Sequence, residues 1–173
     1  IDCGANIGIV SEDLALREAK VFSFEPNPFA YNELQKVSKK YNCITAINAA
    51  VVGASKDGWR KLFFHKNSSY HPLATSTSSS LDGTKKNVDL GKFQNVMCIN
   101  ISKFIASLQC DIDILKMDVE GLELELLEDL FESGEINRVK NCFVEVHGTL
   151  LGDERLEKIH KLVEEAPHNI NLE

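Results

Sequence analysis

No stretch of this chain approaches the ~20 consecutive apolar residues that a membrane-spanning helix needs, and no secretory leader is recognisable at its start. A basic face is equally lacking. Nineteen Lys and Arg stand against 26 Asp and Glu, a net charge of -7, which argues against a nucleic-acid substrate. Lys36, Lys39, Lys40 and the Lys85-Lys86 pair are too sparse to reverse that, and fit a solvated helix face and a loop. The five cysteines (Cys3, Cys43, Cys98, Cys110, Cys142) contain no C-x-x-C pair, and their odd number leaves one without a partner. Most lie in apolar runs, so the expectation is reduced, buried thiols in a cytoplasmic protein. What remains, 173 residues at 43% hydrophobic and 26% charged, fits one globular domain over 1–173 with a full core. Only Ile1 precedes the first motif, so the opening strand is expected to be cut short, with Leu172-Glu173 an added tail.

The most informative stretch is Asp2-Cys3-Gly4-Ala5-Asn6-Ile7-Gly8. Two glycines four apart, after a carboxylate and before an amphipathic run, read as a strand ending in a tight turn that opens a helix. Asn6 is the expected N-cap of that helix. The spacing G-x-x-x-G differs from the dinucleotide fingerprint G-x-G-x-x-G. The wider turn suits a ligand carrying an amino-acid group better than a diphosphate, and S-adenosylmethionine is such a ligand. A bare strand-to-helix turn is the competing explanation. A second strand, Val21 to Phe24, ends in Glu25-Pro26-Asn27-Pro28. An acidic residue at that strand tip is where nucleotide-binding α/β folds hold ribose hydroxyls, and a carboxylate matches a diol.

These pieces, with Ile114 to Leu127 (ILKMDVEGLELELL) and Phe143-Val144-Glu145-Val146-His147-Gly148, resemble the FkbM family of S-adenosylmethionine-dependent methyltransferases in content and order. The resemblance covers roughly Ile1 to Gly148. It implies a Rossmann-like class I methyltransferase fold, a mostly parallel sheet with helices on both faces. It also implies S-adenosyl-L-methionine as cofactor, held by Asp2, Gly4, Ala5, Asn6, Gly8, Glu25, Pro26 and Asn27. The end of the next strand, Asn48, Ala49 and Ala50, lies beside the adenine in that family, although these small residues equally suit sheet packing. The acceptor class it implies is a hydroxyl of a sugar or a secondary metabolite. The antiparallel hairpin that usually closes such a sheet is expected to be missing.

Along the chain, helices are predicted over roughly Ile7 to Ala19 (apolar stripe Ile9, Val10, Leu14), from Pro28 to Tyr41, from Asn100 to Leu108, and from Gly121. In the Gly121 helix, Leu122, Leu126, Leu127, Leu130 and Phe131 are placed inward and Glu123, Glu125, Glu128 and Asp129 outward. A last helix begins at Asp153. Strands are predicted over Ile44 to Val52, Lys61 to His65, Val96 to Ile99, Asp113 to Met117 and Cys142 to Val146. Residues 67–91 read as a flexible loop or a lid. Alternation of strands and helices gives a parallel sheet whose ligands bind outside the carboxyl ends of the strands. Asp2, Glu25, Asp118 and Glu145 all fall on that edge.

For methyl transfer to an alcohol, a positioned base is expected. His147 and Glu145 are the first candidates; Asp118 is the other, better placed to hold cofactor or substrate. Lys116, inside an apolar strand, is expected to pair with a nearby carboxylate. Asp118 and Glu120 at i, i+2 fit a hard cation, but two carboxylates do not establish one and no metal is assigned. The alternatives are a non-catalytic cofactor-binding module and an NAD-dependent oxidoreductase.

Overall fold

The computed structural model describes residues 1–53, 57–67, 79–147, 153–164, 166 and 169–173. Its centre is a six-stranded sheet made of β1 (Asp2–Cys3), β2 (Val21–Phe24), β3 (Ile44–Ile47), β7 (Ile112–Met117), β8 (Val139–Val144) and β9 (Asn169–Leu172). The order is β3-β2-β1-β7-β8-β9 and every pairing is parallel. Strand order therefore reverses between β1 and β7, the point at which open α/β sheets hold their ligands. A second sheet joins β4 (Ala50–Val52), β6 (Val88–Asn100) and β5 (Gly58–His65), with β6 in the middle.

Alternation along the strands builds two cores. Cys3, Phe24, Leu115, Met117, Cys142 and Val144 face one side. There they pack with α3 (Ile101–Ser107), α4 (Glu123–Ser133) and α5 (Asp153–Glu164) through Ile101, Ile105, Leu126, Leu130 and Ile159. Val21 and Ile44 face the other side, against α1 (Ile9–Leu16) and α2 (Pro28–Lys40). The Rossmann-like expectation, helices on both faces of a parallel sheet, is what the chain adopts.

Several boundaries differ from the sequence reading, each for a physical reason. The helix predicted from Ile7 begins at Ile9, and its cap position is Gly8 at φ 94°, not Asn6. Asn6 instead adopts φ 51° and turns its backbone N–H toward Glu25. Of the expected apolar stripe only Leu14 packs against the core; Ile9 is 70% and Val10 41% exposed, while Ser11 and Ala15 are buried. Ser11 donates its hydroxyl to Asp2 Oδ2 at 2.6 Å and shares a hydrogen bond with Ser23, so α1 is docked by polar contacts. The strand predicted over Ile44 to Val52 is two strands in different sheets. Asn48 breaks it by donating its amide to the Glu25 carbonyl at 2.8 Å. The strand expected at Val96 starts at Val88 and pairs antiparallel with β5, so residues 88–91 of the predicted loop are strand. Residues 68–78 of that loop lie outside the described residues. Leu172 ends β9, and Glu173 N donates to Val144 O at 2.9 Å.

All five cysteines are free. Burial pushes the Cys3 and Cys142 thiols up to about 12, which leaves them protonated and unreactive.

Candidate functional site

β2 ends at Phe24 and delivers Glu25 to the carboxyl edge of the sheet. Its Oε2 accepts the Asn6 backbone N–H at 2.8 Å and its Oε1 accepts that of Asn27 at 2.7 Å. One carboxylate thus ties the glycine turn after β1 to the first turn of α2, where Asn27 Oδ1 caps the helix by accepting from Phe29 N at 3.0 Å. Each oxygen keeps a further lone-pair position for a ligand hydroxyl. Only 6% of Glu25 is exposed. Burial raises its pKa to about 7, against the pull of the two backbone N–H groups and Lys116.

Gly4 closes the turn at φ 77° against the end of β7. A Cβ there would stand 1.9 Å from the Asp118 carbonyl oxygen, so no other residue fits. Around this junction lies a cleft that opens to solvent. It is lined by Gly4 and Asn6 of the glycine turn, by Glu25, Ala49 and Ala50, by Asp118 and Glu120, and by Ser80. A second groove shares Gly4, Asn6 and Asp118 and continues past Ala5, Gly8 and Lys116. A ligand lying across the turn would occupy both.

Beyond Asp118 the chain turns sharply, with Glu120 at φ 55° and Gly121 at φ 110°. Ser80 donates its hydroxyl to the Glu120 carbonyl at 2.7 Å, and Lys85 Nζ reaches Glu120 Oε2 at 2.6 Å. Glu123 follows, completely buried, both oxygens accepting from Gly121 N at 3.0–3.1 Å. Its Oε1 also lies 3.0 Å from Nδ1 of His147, which comes from the end of β8. A carboxylate only accepts, so Nδ1 carries the proton there. Nε2 of the same ring points toward Asp118 Oδ1 at 3.8 Å and Glu120 Oε1 at 3.7 Å. The hydrogen bond with Glu123, aided by Glu120 and Asp118, raises the His147 pKa to about 8 against desolvation. Lys116 resolves its burial as expected, donating to Gly4 O at 2.9 Å and lying 3.3 Å from Asp118 Oδ2 and 3.6 Å from Asp2 Oδ1.

A glycine turn, a buried strand-tip carboxylate and small residues thus meet at the switch point of a parallel sheet, where open α/β folds hold their ligands. Compared with family models, the chain matches the methyltransferase FkbM domain over residues 2–168. The chain belongs to the FkbM methyltransferase family. No curated protein and no solved structure matches it.

In this FkbM chain the residues expected to hold a cofactor divide into two groups. Gly4, Ala5, Asn6, Gly8, Glu25, Pro26, Ala49, Ala50 and Asp118 line the two connected cavities. Asp2 and Asn27 line neither. Asp2 is fully buried behind the turn, bonded to Ser11, and Asn27 is 1% exposed, with its side chain on Phe29 N and Ser79. Both support the site from behind. Asn48 does so too, through the Glu25 carbonyl. Of the base candidates, Glu145 has a side chain 54% exposed and lies 4.0 Å from His147 Nε2. The sequence reading missed Glu123, placed outward by helical periodicity, and Lys85, read as a loop charge. The signal for Glu123 was available: a carboxylate two residues after Gly121 can fold back on the free N–H at the helix start.

Proposed function

We propose that this FkbM-family protein is a cytoplasmic O-methyltransferase that uses S-adenosyl-L-methionine and acts on a hydroxyl of a sugar or other small metabolite. The observation that carries the reading is the joining of Glu25 to the glycine turn, Asn6 N to Oε2 at 2.8 Å, across the strand-order reversal. The residues present fit the cofactor. Glu25 has lone pairs open for a ribose diol, Pro26, Ala49 and Ala50 leave room for a flat base, and the groove past Ala5 and Gly8 can take the amino-acid tail.

Bound there, S-adenosyl-L-methionine supplies a methyl group activated on a sulfonium. The chain's own part is alignment and proton transfer. Asp118 borders both cavities, so it is assigned to orient the acceptor next to the donor. The acceptor's proton is assigned to Glu145 at the end of β8, whose side chain faces solvent. The bound cofactor would supply the methyl group to the acceptor oxygen that Asp118 orients. The displaced proton leaves through Glu145 to solvent.

Calorimetry with S-adenosylhomocysteine, with NADH as control, tests the cofactor. One site per chain for the former and none for the latter is expected, and the reverse would remove the reading. Transfer of labelled methyl from S-adenosylmethionine to a panel of sugars and small alcohols then tests the acceptor class. Tight cofactor binding with no transfer to any acceptor would instead mark a non-catalytic module.

A further inference from the structure

Three side chains at the mouth of the cleft share one pattern. In each, one polar atom is tied to a neighbour and the other is turned into common space. Asp118 Oδ2 lies against Lys116 Nζ at 3.3 Å; Glu120 Oε2 holds Lys85 Nζ at 2.6 Å; His147 Nδ1 is bound to the buried Glu123 at 3.0 Å. The remaining atoms, Asp118 Oδ1, Glu120 Oε1 and His147 Nε2, make no hydrogen bond among the described residues. Nε2 stands 3.8 Å and 3.7 Å from the two oxygens, too far for hydrogen bonds. Ligand atoms of all three residues lie within 4.8 Å of one another. Atoms so spaced share a point roughly 2.2–2.5 Å from each, the range of divalent-cation ligand distances.

We propose that Asp118, Glu120 and His147 bind one divalent cation, with Mn²⁺ the best match. Two carboxylates and an imidazole form a mixed oxygen–nitrogen set that suits Mn²⁺ better than Ca²⁺ or a thiolate-seeking metal. Glu123 is the outer carboxylate that metal-bound histidines usually carry on their other nitrogen, fixing the tautomer and aiming Nε2. Its complete burial and its hold on Gly121 N give that orientation a rigid base. Lys116 and Lys85 each occupy one carboxylate oxygen and leave the other for the ion, so the three protein ligands leave open positions on the cleft side. An acceptor hydroxyl bound at one of them would be oriented and made more acidic. That last role rests on the methyl-transfer reading. Binding of the ion does not.

The test is a Mn²⁺ titration of the chelator-treated protein without S-adenosylmethionine, followed by loss of the free-ion electron paramagnetic resonance signal. One saturable site per chain is expected, with histidine-nitrogen coupling in the bound spectrum. Asp118→Asn and His147→Ala should each weaken it at least tenfold. Glu123→Gln should weaken it 10–100-fold, and the surface control Glu157→Gln should leave it unchanged. Melting curves identify any variant that fails to fold, and the isosteric Asp118→Asn then decides. No saturable site at millimolar Mn²⁺ would overturn the proposal, and the cluster would be an imidazolium balanced by carboxylates alone. Equal binding by every variant would mean scattered adsorption to an acidic surface, and would overturn it as well. Neither result touches cofactor binding, which calorimetry measures separately.

Discussion

The backbone N–H of Asn6 reaches Glu25 Oε2 at 2.8 Å, so the turn after β1 and the tip of β2 form one unit before any ligand arrives. The left-handed conformation of Asn6, φ 51°, is what aims that N–H at the carboxylate. A ligand hydroxyl then meets an acceptor already held in place from two sides.

Glu25→Ala should therefore weaken binding of S-adenosylhomocysteine by about 10²-fold or more. Two hydroxyl contacts to a charged acceptor are lost, each contributing about 1.5–3 kcal/mol. Calorimetry at pH 8 checks this. Unchanged affinity would take Glu25 out of the site.

The pH dependence follows from the same group. Glu25 has its pKa raised from 4.5 to about 7 in the folded chain, with burial the main cause, Lys116 opposing and Asp118 assisting. Between those values the folded state keeps a proton that the unfolded chain has released. The stability contributed by protonated Glu25 is thus complete below pH 4.5, fades as pH rises and is gone above about 7. Cofactor affinity runs the other way, because hydroxyl donors need the ionised carboxylate. The dissociation constant should fall roughly tenfold per pH unit up to about 7 and then level off. A flat profile from pH 5.5 to 8 would contradict the assignment.

Much of this site was readable before any coordinates. Glu25 and Asp118 each follow an apolar β-prone run, Gly4 opens the turn between the two glycines, and the parallel alternation of elements places such positions on one edge. Periodicity failed where polar contacts replace apolar packing. α1 docks through Ser11 on Asp2 and Ser23, so its most apolar residue, Ile9, is left 70% exposed. Glu123 was placed outward because charge normally means solvent, yet its partners Gly121 N and His147 lie far apart in sequence spacing and type. The break at Asn48 depends on a side-chain bond to the Glu25 carbonyl, which no local pattern encodes. β9 was missed because a strand of four residues carries little alternation.

Gly4→Ala should be severely destabilising. The new methyl would meet the Asp118 carbonyl oxygen at 1.9 Å in a left-handed conformation, and backbone on both sides leaves nothing to give way. A loss of roughly 3 kcal/mol or more corresponds to a drop of about 10 °C in melting temperature. Gly121→Ala is the contrast: φ is 110°, but nothing lies within 4 Å, so only the conformational term of about 1–2 kcal/mol applies. Similar melting temperatures for the two variants would mean that the packing at Gly4 relaxes.

Lys85 and Glu120 lie at 2.6 Å with side chains 1% and 17% exposed, and this pair fastens the loop after residue 79 over the cleft. Removing one partner leaves the other charge in a poorly solvated position, so Lys85→Met should destabilise by roughly 3 kcal/mol. Replacing both, Lys85→Met with Glu120→Leu, removes the stranded charge along with the attraction, and most of that loss should return. The observable is therefore the coupling in a double-mutant cycle read from denaturant melts, not the single variant. Additivity within about 0.5 kcal/mol would show that solvent already screens the pair. Strong coupling together with weakened S-adenosylhomocysteine binding in the double variant would show that the ion pair shapes the cleft as well as the fold. Ser80, whose hydroxyl sits on the Glu120 carbonyl, moves with the same loop.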